Sequence, residues 1–361
     1  MKHRFLFLLL LALLLSLPLF LHLSPPPEDT LSALSPSAAT ERFVTRLQSG
    51  ALEGLTVVRK IYRLPEDLTV APRPDPEGYG FTTDVKEVAE AVRLSSELLA
   101  GQSTVWTEDA PFVEKYGIRY YRDESILVIV WHEREGGVLR TYAEVKVADA
   151  SQFRRKLAGD AYAYGFYKFP TELAEECNSV LAANGDFYRF RTQGINVYQR
   201  KLYRCDGEKV DTCWIDGGGN LLFTRAGEIE NEQQAEAFIK DNDILFTLSF
   251  GPVMVENGVS VVPDWYLLGE ANRDYPRACI AQTGELHYLL CMSMDYIPVA
   301  EMAGLMVEKG VERCYALDGG QSGTLIMEGT MLNPSSYGWG NVAQRIQSDI
   351  IYFATAIPET N

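Results

Sequence analysis

The stretch Tyr315–Gly329, YALDGGQSGTLIMEG, changes from apolar to polar and back to apolar near the end of the chain. The apolar run that ends at Asp318 is typical of a buried strand, and the pair Gly319–Gly320 predicts a turn after it. Apolar residues resume at Thr324–Met327, which predicts a second strand. The stretch therefore indicates two strands joined by a polar loop that begins with a carboxylate.

A second stretch, VLAANGDFY at 180–188, has the same design. Its apolar run ends at Asn184 and is followed by Gly185 and Asp186. A strand end fixes the direction of a side chain, and glycine lets a ligand approach the backbone closely. Both strand ends are therefore candidate binding or catalytic sites, although Asp–Gly pairs also form ordinary turns.

Around these stretches, alternating apolar runs separated by turn residues predict a domain rich in hairpins. Hairpins are predicted at Arg134–Gly137, at Asn257–Gly258 and near Thr283–Gly284. Short helices are predicted at 151–159, 171–179, 231–240 and 298–310. We interpret residues 116–357 as a single α+β domain in which a mixed sheet is flanked by helices.

The amino terminus has a basic start, Met1–Arg4, followed by a nearly continuous apolar run at 5–23. This combination is typical of an export signal, and the run is long enough to cross a bilayer. Because no clear cleavage site follows, we favour a retained membrane anchor over a cleaved leader, which would leave a secreted protein. Residues 24–115 are interpreted as an extracytoplasmic stalk with one helix at 84–101, capped by Asp84.

The composition limits the classes of partner and of covalent cross-link. The chain has 361 residues, of which 47% are hydrophobic, and this is enough for a substantial core. Its formal net charge is −16 and it has no dense run of Lys and Arg, so the sequence argues against nucleic acid as a partner. Six cysteines do not make a disulfide scaffold, and only Cys205 and Cys213, on either side of the predicted turn DGEKVDT, are expected to pair.

Several common active-site motifs are absent from the sequence. The loop after Asp318 has no P-loop lysine, and it is followed by a strand where a dinucleotide fingerprint needs a helix. The four histidines are scattered and there is no G-x-S-x-G elbow, so neither a zinc site nor a serine hydrolase is predicted. The sequence requires no cofactor, while a divalent cation at the Asp-rich loops remains an open alternative.

The order of five motifs resembles that of the phosphodiester glycosidase family. They are AANGDFY at 182–188, LSFGPVMVENG at 248–258, RDYPRACIAQTGELHYLL at 273–290, YALDGGQSGTLIMEG at 315–329 and AQRIQSDIIYF at 343–353. The resemblance implies a site assembled from strand ends of a mixed sheet. It also implies a hydrolase that cleaves the sugar C1–O–phosphate bond of N-acetylglucosamine-1-phosphodiester-type linkages, on surface or exopolysaccharide glycans.

The resemblance also indicates which residues form the site. The catalytic candidates are Asn184, Asp186, Arg277 and Asp318, and the substrate-binding candidates are Gly185, Gly319, Gly320, Ser322, Arg345 and Asp349. An internal ion pair between Arg345 and Asp349 is an equally good interpretation of those two residues.

The chemistry of the bond supports these roles. Its cleavage releases a phosphate monoester with a second pKa of about 6, so the leaving group needs little protonation and a cation can replace a general acid. Arg277 is expected to bind the phosphate oxygens in two-point contact. Either Asp318 or Asp186 is expected to stabilise the cationic sugar or to activate water. Ser322 and the amides of the adjacent glycines are expected to donate hydrogen bonds to the substrate.

The sequence departs from the family pattern at several positions. The last loop usually reads D-G-G-G-S-S-T, whereas Gln321 replaces the third glycine here and Gly323 the second serine. The segment after Met294 is shortened, and Gln344 stands where a carboxylate is common. These changes leave open an alternative, a catalytically impaired member that acts as a glycan-binding or interaction module at the cell surface.

Overall fold

The computed structural model describes residues 62–99, 102–163, 165–186, 188–267, 273–333 and 344–357. The predicted membrane segment at 5–23 and the first part of the predicted stalk lie outside these residues. In the described ranges, no helix combines the length and the apolar character needed to cross a bilayer. The chain from Tyr62 onward forms one compact unit.

The largest element is a nine-stranded antiparallel sheet. Its strands, in spatial order, are β1 (Tyr79–Thr82), β2 (Ile118–Arg122), β3 (Ile126–Glu135), β4 (Val138–Val147), β15 (His287–Ser293), β14 (Ala278–Gly284), β16 (Arg313–Leu317), β12 (Val253–Glu256) and β13 (Val259–Ser260). The predicted hairpins are confirmed, because β3 pairs with β4, β12 with β13 and β14 with β15.

Three smaller antiparallel sheets complete the described strands. The five-stranded sheet has the order β18 (Thr330–Met331), β17 (Leu325–Met327), β6 (Leu181–Asn184), β19 (Asp349–Phe353) and β5 (Phe153–Leu157). The three-stranded sheet has the order β10 (Leu221–Thr224), β9 (Thr212–Asp216) and β11 (Ile244–Leu248), and the two-stranded sheet is β7 (Gly194–Tyr198) with β8 (Lys201–Asp206). The domain is therefore mostly sheet, built from several antiparallel sheets instead of the predicted mixed sheet.

Few helices accompany the sheets. The α-helices of the described chain are α1 (Val85–Leu94), α2 (Ser96–Leu99), α3 (Pro170–Glu176), α4 (Glu232–Asp241) and α5 (Val299–Glu308). Asp84 and Asn231 cap α1 and α4 by accepting backbone N–H bonds, as the sequence predicts. The helix predicted at 151–159 is wrong, because this segment forms β5, which pairs along its length with β19.

Apolar side chains fill both faces of the nine-stranded sheet. One face packs against the five- and three-stranded sheets through residues such as Phe153, Phe246 and Tyr315. The other face is covered by helices, with Met302 of α5 and Val88 of α1 among the buried contacts. Burial on both sides explains why β3 reads as a continuous apolar run instead of an alternating one.

Much of the predicted stalk belongs to the folded unit. β1 pairs with β2 at the edge of the nine-stranded sheet, and Trp106 is buried against the same sheet. Leu64 and Ala71 pack beneath the five-stranded sheet together with α3. The predicted boundary at residue 116 therefore moves to Tyr62, because these apolar residues complete the core.

The expected Cys205–Cys213 disulfide is wrong, since all six cysteines are free thiols. Cys205 lies on β8, whose partner is β7, whereas Cys213 lies on β9 between β10 and β11. The segment between them connects two different sheets and does not form a hairpin turn.

Candidate active site

The two strand ends singled out in the sequence meet at one place. Asn184 ends β6, and its Nδ2 donates to the Asp318 carbonyl oxygen, which follows β16, at 2.9 Å. Its Oδ1 accepts from the Thr324 backbone N–H at 3.2 Å. The Asn184 side chain is buried and both ends of its amide contact the backbone. We therefore interpret Asn184 as a positioning residue that ties the five-stranded sheet to the loop after β16.

Asp349, at the start of β19, is the acceptor at the centre of this junction. Its Oδ2 accepts from Arg155 Nε at 2.8 Å and from the Asp186 backbone N–H at 2.9 Å. Its Oδ1 accepts from Ser348 Oγ at 2.9 Å. Burial raises the pKa of Asp349, and the Arg155 guanidinium partly offsets that rise. In the structure, Asp349 forms an ion pair with Arg155.

Gly185→Ala tests how tightly the Asp349 carboxylate approaches the β6 end. A Cβ on Gly185 lies only 2.2 Å from Asp349 Oδ2, so the carboxylate has to move and its bond to Arg155 is disturbed. We expect a loss of about 1–3 kcal/mol in the free energy of unfolding, measured by urea denaturation. Gly304→Ala is the matched control, because a Cβ on Gly304, in α5, meets no neighbour within 4 Å, and a gain of roughly 0.5–1 kcal/mol is expected there. If the two variants change the free energy of unfolding by the same amount, the close approach of Asp349 Oδ2 to Gly185 is contradicted.

Asp186 is buried and fully engaged. Its Oδ1 accepts from Arg191 Nη2, and its Oδ2 accepts from Asn196 Nδ2 at 3.2 Å. Burial alone raises the pKa of this carboxyl, but the guanidinium groups of Arg191, Arg155 and Arg204 outweigh it and hold the pKa below its usual range. Asp186 is therefore ionised, with both oxygens bound, and its role in this arrangement is to orient Arg191.

Arg191 is a cation with an open donor. Its Nε donates to the Gln193 carbonyl oxygen at 3.1 Å and its Nη2 to Asp186, while its buried Nη1 has no hydrogen-bond partner within the described residues. Arg191 and Arg155 are absent from the sequence prediction. The sequence YRFR at 188–191, which begins two residues after Asp186, contains two arginines and could have indicated Arg191. Arg155 was not predicted because it lies in the segment 151–159, for which the sequence predicts a helix.

Asp318 differs from the other two carboxylates. The residue is half-buried, but its Oδ2 atom is enclosed and accepts no hydrogen bond from the described part of the chain. Burial raises the pKa of Asp318 to about 6, while a hydrogen bond from Ser322 and the charges of Arg345 and Arg191 act in the opposite direction. A carboxyl with a pKa near 6 and an oxygen that accepts no hydrogen bond from the described residues is suited to proton transfer near neutral pH.

The loop after Asp318 is shaped by its glycines. A Cβ on Gly319 lies 2.1 Å from the Pro276 carbonyl oxygen, which requires glycine there. Gly320 has a φ of +58° and donates its N–H to the same carbonyl at 2.9 Å, so this amide holds the loop instead of facing a ligand. Ser322 is buried next to Asp318, and the exposed Arg345 donates from Nη1 to Ser322 Oγ at 3.5 Å.

Arg277 lies beside Asp318, because the next residues along β14 and β16, Ala278 and Leu317, form a register pair. Its Nε donates to the Ile297 carbonyl oxygen at 3.1 Å, and its Nη2 donates to the Arg273 carbonyl. The guanidinium thus contacts backbone carbonyls on its own side of the loop. Arg345 and Arg191 are cations whose charges lower the pKa of the Asp318 carboxyl.

The departures from the family loop fit this geometry. Gly323 has a φ of −63°, and a Cβ there lies no closer than 3.6 Å to any atom of the described residues, so a serine fits among them without strain. Gln321 lies within the short turn Gly320–Ser322 and is not among the residues with positive φ, so glycine is not required at this position. Gln321 and Gly323 are therefore both compatible with the backbone conformation of this loop.

In the described ranges, no group of three or more His, Cys, Asp and Glu side chains has a geometry that could hold a metal ion. The site combines the Oδ2 atom of Asp318, which accepts no hydrogen bond from the described residues, with two nearby guanidinium groups, those of Arg191 and Arg345. Guanidinium groups bind phosphate oxygens well, and a carboxylate near them can accept a proton from water. The arrangement therefore suits hydrolysis of an anionic substrate.

Comparison with known proteins agrees with this geometry. A sequence model of the phosphodiester glycosidase family matches residues 178–353, which confirms the resemblance in the motifs. A search of curated proteins gives no match to the chain.

Two solved structures are similar in fold. The zebrafish N-acetylglucosamine-1-phosphodiester alpha-N-acetylglucosaminidase catalytic domain, auto-inhibited by its pro-peptide, superposes with a TM-score of 0.51 at 14% identity, covering 63% of this chain and 82% of that one. A hypothetical protein from Synechocystis superposes with a TM-score of 0.50 at 16% identity, covering 68% of this chain and 64% of that one. At these identities the likeness shows the fold alone.

Proposed function

We propose that the protein, whose residues 178–353 match the model of the phosphodiester glycosidase family, hydrolyses the bond between a sugar C1 and a phosphodiester oxygen. The family supports a glycosidase-type hydrolase that acts on a glycan. The observation that carries the finer proposal is that Asp318 Oδ2, near the charges of Arg345 and Arg191, has no hydrogen-bond partner among the residues that the structure describes. A phosphodiester brings one negative charge, which these cations offset in a chain whose net charge is −16.

We propose that Asp318 acts in its ionised form as the general base. Water attacks C1, the C1–O bond breaks, and its electron pair stays on the phosphate oxygen. Asp318 takes the proton of the attacking water, so the products are a free sugar and a phosphate monoester. Arg345 and the open Nη1 of Arg191 stabilise the charge that grows on the phosphate, which makes a separate general acid unnecessary.

The role of Asp318 predicts a specific pH dependence. The pKa of about 6 means that the ionised base predominates above that pH. We expect kcat/KM to rise as the pH increases through about 6 and then to level off, because the active species is the deprotonated one. The measurement is sugar release between pH 4 and 8. A rate that falls as the pH rises through this range makes Asp318 a general acid and contradicts the proposed step.

The proposed substrate has N-acetylglucosamine on the phosphodiester. The support is the family of the domain and the activity in the name of the zebrafish protein with the same fold. The test is to incubate the full-length chain with methyl N-acetylglucosaminyl phosphodiester and with the matching glucosyl phosphodiester, and to measure free sugar with and without a chelator. Release of neither sugar contradicts the proposal, and loss of activity with chelator shows a need for a divalent cation.

We further propose that the domain acts outside the cytoplasm, on cell-surface or exopolysaccharide glycans, while residues 5–23 anchor it in the membrane. The support is the basic start followed by the apolar run in the sequence. Protease treatment of intact cells tests this location, because an external domain is digested and a cytoplasmic one is protected.

A further inference from the structure

A short segment before β19 supplies several side chains to the candidate active site. Arg345 and Gln347 both contact Ser322, and Asp349 accepts from the Asp186 backbone N–H. Residues 345 and 347 are two apart, the spacing at which side chains of an extended segment point to the same side. Gln347 is the uncharged member of the three, and it takes no part in the hydrolytic step proposed for Asp318.

Gln347 holds the backbone of the loop after β16. Its side chain is buried, and its Nε2 donates to the Ser322 carbonyl oxygen at 2.7 Å. The backbone of Gln347 is itself fixed, because its N–H donates to the Lys168 carbonyl oxygen at 2.8 Å and its carbonyl oxygen accepts from the Lys168 N–H at 3.1 Å. Gln347 therefore joins the segment that precedes α3 to the turn Gly320–Ser322.

The hydroxyl of Ser322 lies between a cation and the proposed base. Its Oγ accepts from Arg345 Nη1 at 3.5 Å, and the hydroxyl donates to Asp318, which lowers the pKa of that carboxyl. A serine hydroxyl has one proton to donate, so a lone pair directed at Arg345 leaves that proton for the Asp318 carboxylate. A hydrogen bond donated to the ionised form of a carboxyl favours ionisation. The position of Ser322 therefore affects the protonation of Asp318.

Other charged groups also lie around Asp318. They are Arg345, Arg191, Asp186 and Arg277. Burial raises the pKa of Asp318 most, the charges of Arg345 and Arg191 lower it, and the charge of Asp186 raises it. Arg191 and Asp186 bind each other, and Arg277 binds backbone carbonyls, so these three are fixed independently of Gln347. The contribution of Ser322, in contrast, depends on the turn that Gln347 holds.

We propose that Gln347 is a positioning residue for the hydrolysis: by holding the Ser322 carbonyl, it keeps the Ser322 hydroxyl on the Asp318 carboxylate and thereby keeps this base ionised and fixed in direction. The proposal rests on the proposed function of the same site. Gln347 touches neither the sugar nor the phosphate in this account and acts through Ser322. Without its amide the turn can move Ser322 away, and Asp318 then takes up a proton more readily.

Gln347→Met tests the proposal in the full-length chain. Methionine is unbranched and of similar volume, leaves the backbone pairing with Lys168 in place and has no N–H donor. We expect the midpoint of the rise of kcat/KM with pH to move upward by roughly one pH unit, the effect of a lost hydrogen bond to a charged group. The ratio of kcat/KM at pH 8 to that at pH 5, measured with methyl N-acetylglucosaminyl phosphodiester, then increases roughly tenfold. An unchanged ratio overturns the proposal, whatever the melting temperature of the variant.

Two further variants test the route through Ser322. Ser322→Ala removes the hydroxyl itself and should raise the ratio in the same way, because the carboxylate loses the same hydrogen bond. If Gln347→Met raises the ratio and Ser322→Ala does not, the proposed route is wrong. Gln347→Asn keeps a buried amide but is shorter by one methylene, so it replaces Gln347→Met if that variant does not fold. Its ratio should also rise, and no rise counts against the proposal.

Gln344→Met is the matched control. Gln344 lies three residues before Gln347, and its Oε1 accepts from Thr171 Oγ1, in α3, at 3.0 Å. The substitution thus removes a hydrogen bond between the same segment and α3. We expect the ratio of kcat/KM at pH 8 to that at pH 5 to stay at the wild-type value. A rise equal to that of Gln347→Met would show that any loosening of the segment changes the ratio, and would overturn the proposal.

The inference and the proposed function fail in different ways. If the wild type releases sugar but the ratio in Gln347→Met is unchanged, the inference is wrong and the function stands. If the wild type releases no sugar at any pH, the proposed function is wrong, and melting temperatures then decide the inference.

The difference in melting temperature between the wild type and Asp318→Asn changes as the pH rises to the pKa of Asp318, and it is constant above that pH. When both proteins also carry Gln347→Met, this limit should lie roughly one pH unit higher, because Asp318 has lost the hydrogen bond that favours its ionised form. Equal limits in the two backgrounds overturn the inference.

Discussion

Asp318→Asn is expected to lower sugar release from a glycosyl phosphodiester by about 10²–10⁴-fold, the usual contribution of a positioned proton-transfer group. Asparagine has nearly the same shape as aspartate, and it cannot accept the proton of the attacking water. Of the three carboxylates described at the site, Asp318 alone has an oxygen without a hydrogen-bond partner in the described part of the chain, because both oxygens of Asp186 and of Asp349 accept hydrogen bonds. Purified variant and wild type are compared in the same release assay.

The stability of Asp318→Asn separates a catalytic defect from a folding defect. The pKa of Asp318 is raised in the folded state, so its contribution to stability is present below the unfolded pKa and is lost as the pH rises to about 6. Asparagine mimics the protonated form, and at pH 7 the variant should unfold at the same temperature as the wild type or at a higher one. If the variant is inactive and its melting temperature is clearly lower, the loss of sugar release is explained by misfolding, and this interpretation is contradicted.

Asp216→Asn is the matched control for this experiment. Asp216 also ends a strand, β9, and also precedes glycines, in the sequence IDGGG. Its Oδ1 accepts from the N–H groups of Gly218 and Asn220, so it forms an ordinary turn. We expect full sugar release from this variant. Equal losses in both variants would show that the assay reports on loop integrity and not on the chemistry of Asp318.

Arg155→Met is expected to cost about 3–5 kcal/mol of unfolding free energy, because it leaves a buried carboxylate without its cation. Arg155 is fully enclosed and donates to Asp349 Oδ2 at 2.8 Å and to the Thr247 carbonyl oxygen at 2.7 Å. It also lies 4.0 Å from Asp186. Methionine fills a similar volume but offers no donor. Urea denaturation at pH 7 gives the difference.

Arg93→Met is the matched control for Arg155→Met. Arg93 forms a shorter ion pair, 2.6 Å to Glu90, but its side chain is 68% exposed on α1. Solvent screens such a pair, and methionine is about as good a helix former, so no measurable loss is expected. If the two variants lose the same unfolding free energy, burial does not make the Arg155 ion pairs more stabilising than an exposed pair, and this account is contradicted.

Local signals in the sequence predicted the parts of the fold that depend on neighbouring residues. Asn257–Gly258 forms its hairpin because the turn itself favours that sequence, and Asn231 caps α4 because its partner is three residues away. The ending of two strands in polar residues and glycine likewise indicated where side chains collect. Asn184 ends β6 and Asp318 follows β16, and the Asn184 side chain joins the two strand ends by a hydrogen bond of 2.9 Å to the Asp318 carbonyl oxygen.

Contacts between distant segments were not predictable in the same way. The helix interpretation of 151–159 failed because pairing with β19, almost two hundred residues later, decides the conformation of β5. For the same reason the sequence did not predict that Arg155 pairs with Asp349. Arg277 was expected to bind phosphate because of its motif, yet backbone carbonyls take up its Nε and Nη2, a use that spacing along the chain does not reveal.

The central claim is that the site breaks a C1–O bond by adding water to the sugar. Hydrolysis of methyl N-acetylglucosaminyl phosphodiester by the full-length chain in ¹⁸O-labelled water tests this claim most directly, with mass spectrometry of the released phosphate monoester. We predict a monoester free of ¹⁸O, because the water oxygen ends on C1. A monoester that carries ¹⁸O would show attack on phosphorus and would contradict the account.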